Sequence, residues 1–146
     1  MKEIHIREMV IEDYDRFLDL MKHTSGVVIR TADSADAIQR YLERNPGLSF
    51  IAERGPQLVG CAMAGHDGRR GYLQHAMVAP EYRRQGIGKQ LVARCVDVLN
   101  ALGIYKIHLD VLAENRHAMS FWKHLGWTKR EDIVRFSLIT SEDKNA

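Results

Sequence analysis

Between residues 71 and 112 the chain reads GYLQHAMV, then APEYRRQGIGKQLVARCVDVLNALG, then IYKIHLDVL. The first run is strand-like, the long middle one carries Ile87, Leu91, Cys95, Leu99 and Leu102 on one helical stripe before Gly103, and 106–112 is again strand-like. Two strands joined by a helix lie side by side and parallel in one sheet, with a right-handed crossover. That unit excludes an all-helical fold and a purely antiparallel sheet.

The rest of the chain supplies elements to build around it. IHIRE (4–8) alternates as a short strand, and IEDYDRFLDLM (11–21) sets Tyr14, Phe17, Leu18 and Met21 at helical spacing. Residues 24–33 form a loop. Ser34 and Asp36 cap a helix running through Leu42, and RNPG (44–47) makes a turn. LSFIAE (48–53) and QLVGCAMAG (57–65) are strands joined by RGP, and Asp67-Gly68 marks a hairpin into 71–78. Past the crossover, Ala118, Phe121, Trp122 and Leu125 predict a short helix ending at Gly126, and IVRFSLI (133–139) a last strand. Nothing resembling a repeat or linker divides the chain, so a single domain over 1–146 is expected.

With 21 basic and 19 acidic residues in 146, the net charge of +2 is too balanced for a nucleic-acid surface, so no nucleic-acid partner is expected. Cys61 and Cys95 lie far apart without ligand spacing, which predicts neither disulfide nor metal. The amino terminus is interrupted by charges, and no stretch approaches a membrane span. A cytoplasmic protein without membrane contact is the expectation.

The loop RRQGIGK carries the chemistry. Glycines at the mouth of a helix let the backbone approach an anion closely, and the N–H groups there point outward beside Arg83, Arg84 and Lys89. A nucleoside-triphosphate loop would need a glycine at Arg83 and a hydroxyl residue at Gln90, so that reading fails. A dinucleotide fingerprint is nearer, with Gly86, Gly88 and a carboxylate at Asp110, but Leu91 stands in place of the third glycine and APEYRRQ separates the strand from the turn.

The whole stretch from Val78 to Lys89 resembles motif A of the GNAT superfamily of N-acetyltransferases, whose loop runs Q/R-x-x-G-x-G/A. A second match, LDVLAENRHAMSFWKHLGW (109–127), resembles motif B of the same family through Asn115, Ala118, Phe121, Leu125, Gly126 and Trp127. The order of the leading elements extends the resemblance over nearly the whole chain. It implies an α/β fold with a mixed twisted sheet of about six to seven strands, helices on both faces, and a splayed pair formed by the fourth and fifth strands at 71–78 and 106–112. It also implies acetyl-CoA as co-substrate and no metal. The pantetheine arm would run along Met77 and Val78; the pyrophosphate would rest on Arg83, Arg84, Gln85, Gly86, Ile87, Gly88 and Lys89. Asn115 would hold the cofactor by its amide, unless it serves only as a helix cap.

Two positions depart from the family. Where many relatives have a tyrosine that protonates the departing thiolate, this chain has Trp122, whose indole cannot release a proton at useful pH. Trp122 is counted among the cofactor-side residues, with packing as its main role. Where many relatives place a glutamate, the nearest residue is Gln74, which can orient water, followed by His75, which can take a proton. His75 is the candidate base; sharing a strand face with Leu73 and Met77, it reads equally as a buried, satisfied histidine, and a strand bulge would alter that face.

The expected activity is direct acetyl transfer to a primary amine of a small molecule or peptide in a ternary complex. The alternatives are a non-catalytic module that binds acetyl-CoA or CoA, and, more remotely, a dinucleotide-binding domain. The acceptor pocket would draw on 21–35 and 128–134, where Arg30, Asp33 and Arg130 are either acceptor contacts or solvated loop charges. An acyl-cysteine route has no support, since Cys95 lies on the core stripe and Cys61 lacks a histidine partner in sequence. The resemblance leaves room for a homodimer.

Overall fold

The computed structural model describes residues 3–146. Five strands form one mixed sheet in the order β1-β2-β3-β4-β5: Ile4–Glu8, Phe50–Arg54, Gln57–His66, Gly71–Val78 and Ile107–His108. The first four are antiparallel neighbours, and β5 lies parallel to β4 as the crossover requires.

Helices cover both faces. Helix α1 (Tyr14–Lys22) buries Phe17, Leu20 and Met21, and α2 (Ala35–Arg44) buries Ile38; with Ile51, Cys61, Met63 and Met77 they make one core. On the opposite face α3 (Ile87–Ala101) buries Ile87, Leu91, Val92, Cys95 and Leu99 against Phe50, Ala62, Ala64 and Leu73. Helix α4 (Arg116–His124) leans on that second core through half-buried Trp122.

The local signals explain most boundaries. Ser34 Oγ accepts from the Ala37 N–H at 3.2 Å and starts α2, which runs two residues past Leu42. Residues 11–13, expected inside the first helix, instead form a separate 3-10 turn, because Asp13 Oδ2 accepts from the Val10 N–H at 2.9 Å. Leu102 lies just beyond α3 and is 57% exposed, so the buried stripe stops at Leu99.

Two expectations about the sheet are corrected. The fifth strand spans two residues rather than seven, and 133–139 joins no strand, so the sheet has five strands rather than six to seven. The causes are linked. Pairing of β4 with β5 stops at Tyr72↔His108, and a two-residue edge offers a further strand too few ladder bonds to fix its register. The last segment therefore runs outside the sheet with Val134, Phe136 and Leu138 at 81%, 94% and 86% exposure, held by an Arg135–Asp110 ion pair of 2.9 Å. Beyond it Asn145 grips the link between α1 and α2: its carbonyl accepts from the Thr31 N–H at 2.9 Å, and its Oδ1 accepts from the Arg30 guanidinium at 3.3 Å.

Candidate functional site

The two features on which the motifs converge are the divergence of β4 from β5 and the loop that follows β4. Past Tyr72, β4 has no strand on its β5 side, so the backbone of 73–78 keeps an open edge to which an amide-bearing chain can add as a strand would. Met77 is buried and Val78 half-buried at its end.

A 3-10 turn at Pro80–Tyr82 leads into the glycine loop. Arg84 at φ +64° and Gly86 at φ +78° are left-handed, a conformation that turns successive N–H groups to one side and makes an anion-binding concavity. Gly86 caps α3, whose first internal bond is Gln90 N–H to the Gly86 carbonyl, leaving the N–H groups of 87–89 without helical partners. Arg83, Arg84, Gln85 and Lys89 are exposed around them, and Arg83 Nε also reaches the Val78 carbonyl at 3.3 Å. Ile87 is 3% exposed, so its side chain belongs to the core and only its backbone faces the loop.

Gly88 has a different constraint from Gly86. A Cβ on Gly88 would stand 3.3 Å from Phe121 Cζ and 3.5 Å from Val78 Cγ2, so its missing side chain admits the ring of α4 against α3. A Cβ on Gly86 would meet nothing nearer than 3.9 Å; that glycine is required by its positive φ alone.

Asn115 caps α4, its Oδ1 accepting from the Ala118 N–H at 3.1 Å. Its Nδ2 sits under the α1–α2 link, 2.7 Å from where a Cβ on Gly26 would be, so the link and the start of α4 meet across the open end of the sheet. Trp122 packs edge-to-face on Phe121 and Trp127, with centroids 5.0 and 5.1 Å away, in agreement with a packing role.

The histidine on β4 is held in an unusual way. Met63 pairs with Gln74 and Cys61 with Met77, so His75 and Ala76 together oppose the single residue Ala62. This is a bulge, and it places His75 at φ +50°. Leu73 and Met77 consequently enter opposite cores, and the simple face that would group them with His75 does not exist. Gln74 is exposed, while the His75 ring stands edge-on to Phe17 at 5.7 Å.

His75 Nε2 lies 2.6 Å from Asp33 Oδ1. Asp33 is 6% exposed; its Oδ2 accepts from the Arg30 N–H at 2.9 Å and its carbonyl accepts from the Tyr14 hydroxyl at 2.7 Å. Burial first, then the Asp33 charge, pushes the Tyr14 hydroxyl upward. Asp33 is therefore no solvated loop charge, in contrast to Arg130, which pairs with exposed Asp132 at 2.9 Å. Sequence reasoning had no means of joining Asp33 to His75. The run from Arg30 to Ser34 signals a turn and a cap, but nothing local encodes a partner 42 residues away.

The cysteines are core residues. Both are fully buried; burial pushes the Cys95 thiol up to about 12 and Cys61 higher still, and Cys61 donates to the His75 carbonyl at 3.0 Å. Among the described residues no group of three His, Cys, Asp or Glu side chains converges as metal ligands, and no helix is long and apolar enough to cross a membrane.

Known proteins resemble the chain in sequence and in fold. Residues 8–127 match the model of the acetyltransferase (GNAT) family. An acetyltransferase of Sodalis glossinidius is 33% identical over 107 residues, covering 73% of this chain and 75% of its own. An acetyltransferase of Yersinia pestis is 27% identical over 132 residues, 90% of this chain and 92% of the relative. Among solved structures, the PaiA N-acetyltransferase of Thermoplasma acidophilum in complex with coenzyme A superposes with a TM-score of 0.73 at 21% identity, covering 84% of this chain and 87% of that one. The aminoglycoside N-acetyltransferase AAC(6')-Iy in complex with CoA superposes with a TM-score of 0.72 at 22% identity, covering 94% and 96%.

Proposed function

The chain belongs to the acetyltransferase (GNAT) family, and from that premise we propose that it transfers the acetyl group of acetyl-CoA directly to a primary amine of a small molecule or peptide. The observation that carries this reading is the open edge of β4 leading into the left-handed turns at Arg84 and Gly86. An extended amide chain and an anion can be held there in series, which is the shape of pantetheine followed by pyrophosphate. Exposed Arg83, Arg84 and Lys89 favour the anion, and Asn115 Nδ2 is free to donate while Oδ1 caps α4. Two of the structural relatives are described as complexes with CoA. The family match spans the glycine loop, which leaves the dinucleotide reading without support.

In this reading the amine nitrogen attacks the thioester carbon, a C–N bond forms and the C–S bond breaks. The electrons of the C–S bond leave on sulfur as the CoA thiolate, which solvent protonates. The amine gives up its proton to His75, and the N–H groups at the β4 bulge face the carbonyl oxygen as charge develops. Holding both reactants in one cleft supplies much of the acceleration. Trp122 takes no proton.

The test is a panel of primary amines (an amino acid, spermidine, an aminoglycoside and a peptide with a free amino terminus) assayed for CoA release and for acetylated product by mass. Acetyl-CoA that stabilises the protein in a melt while no amine releases CoA would instead identify a binding module without turnover. A structural relative described as an aminoglycoside N-acetyltransferase makes small amines the first acceptors to try. The proposal extends to a homodimer: exposed Val134, Phe136 and Leu138 offer an apolar face for self-association, and a one-chain mass by light scattering would remove it.

A further inference from the structure

The 2.6 Å approach of His75 Nε2 to Asp33 Oδ1 requires a proton between them, since two bare acceptors do not meet at that distance. Asp33 Oδ2 already accepts from the Arg30 N–H, so Oδ1 is the oxygen left to meet the ring. We infer that Asp33 is a positioning residue for the transfer: it holds the His75 imidazole with hydrogen on Nε2 and leaves the Nδ1 lone pair to receive the amine's proton. This rests on the proposed role of His75 as base.

Three observations converge on it. Asp33 is 6% exposed, and among the described residues its only ion-pair partner is His75; no lysine or arginine side chain comes within bonding distance to neutralise it. A buried carboxylate so placed has one way to gain a full opposite charge, which is for the imidazole to become imidazolium, the species formed when the amine is deprotonated. The second observation is the backbone. His75 adopts φ +50° at the bulge, and this non-glycine conformation is retained although it is costly in a strand. It lets Nε2 reach the α1–α2 link while Phe17 holds the ring edge-on. Thirdly, Asp33 itself is fixed: Tyr14 donates to its carbonyl, the Arg30 N–H to its side chain, and Asn145 clasps the turn through Thr31 and Arg30.

The titratable groups facing the pair from the packed elements are the Tyr14 hydroxyl on α1 and the Cys61 thiol on β3. Tyr14 meets the Asp33 carbonyl and Cys61 the His75 carbonyl. Both are pushed upward by burial and stay neutral through the range in which an ordinary imidazole changes charge. Neither competes with Asp33 for the ring.

Asp33→Asn keeps the size of the side chain and removes its charge. With the fastest amine of the panel it is expected to lower kcat by about 100-fold or more at neutral pH. It should leave KM for acetyl-CoA unchanged, a split that a general disturbance of the fold around the cofactor cleft would not produce. Adding Asp33→Asn to His75→Asn should cost nothing more, since the two act as a unit. Asp33→Asn with a lowered Tm but the parental kcat would overturn the inference while leaving His75 as the base. Parental activity in His75→Asn would overturn the base and the inference together. Should Asp33→Asn fail to fold, the imidazole nitrogen NMR spectrum of the unaltered protein, assigned by difference from His75→Asn, decides. Hydrogen on Nε2 of the neutral ring is expected, and the opposite tautomer would refute it.

Discussion

Leu73 and Met77 stand four residues apart on β4 and pack into opposite cores, Leu73 beneath α3 and Met77 beneath α1. In a regular strand residues four apart share a face. The extra residue opposite Ala62 reverses the face in between, and the residue at the reversal is His75. The same bulge thus positions the candidate base, on the stretch of β4 beyond its last pair with β5 at Tyr72↔His108.

Substitutions at His75 should separate backbone strain from chemistry. Asparagine tolerates left-handed backbone and retains a donor for Asp33, so His75→Asn is expected to lose activity with a Tm within a few degrees of the parent. His75→Val adds a branched Cβ at φ +50° and leaves the Asp33 carboxylate buried without its partner. A loss of about 3 kcal/mol is expected in denaturant unfolding. Equal stability of the two variants would show that the left-handed turn is not maintained in solution.

The two glycines of the loop should respond differently. Gly86→Val strains a position with open space around it, so acetyl-CoA affinity should fall at least about 10-fold with folding largely intact. Gly88→Val forces the Phe121 ring off α3, and both affinity and Tm should fall. Calorimetric binding together with thermal melts of the two variants checks the split; unchanged affinity in Gly86→Val would count against the anion site.

Asn115 should show two separable contributions. Asn115→Asp keeps an acceptor for the Ala118 N–H and adds a negative charge beside the proposed anion, so affinity should drop with Tm nearly constant. Asn115→Ala should destabilise by about 1 kcal/mol through the lost cap. If acetyl-CoA binds Asn115→Asp as tightly as the parent, Asn115 is a cap and nothing more.

An acid-sensitive clasp joins β1, α1 and β2 away from the site. Arg7 grips Asp13 at 2.7 Å and Glu53 at 2.9 Å, and Arg16 bridges the same two carboxylates at 2.8 and 2.9 Å. Burial alone would raise the Asp13 carboxyl; Arg7, the Val10 N–H and Arg16 outweigh it and hold it below its ordinary value. The Arg7 hydrogen bond leads the depression of Glu53, with Arg16 adding to it against burial. Groups depressed in the folded state stabilise it above their unfolded values and lose that contribution as pH falls through the folded ones. Tm should therefore hold above about pH 5 and decline below about pH 4. Asp13→Asn should cost about 1–3 kcal/mol at neutral pH, discounted for the partly open guanidiniums, and flatten the acid decline.

What could be read from the chain alone was whatever depends on neighbours in sequence. The crossover from β4 through α3 to β5, the Ser34 cap, the hairpin at Asp67-Gly68, the helix over 116–124 and the glycine turn that opens α3 all follow from periodicity, capping and turn chemistry over a few residues. The two spaced motifs located the family on the same terms. What tertiary structure decided depends on contacts between distant segments. The bulge at His75 arises from the pairing of β4 with β3, which no strand encodes by itself. It turns an imidazole toward a carboxylate 42 residues earlier that reads in sequence as an ordinary loop charge, and the two-residue β5 likewise leaves 133–139 outside the sheet. A one-residue change in register inverts every side chain beyond it, so the site's chemistry rests on a register that only the assembled sheet specifies.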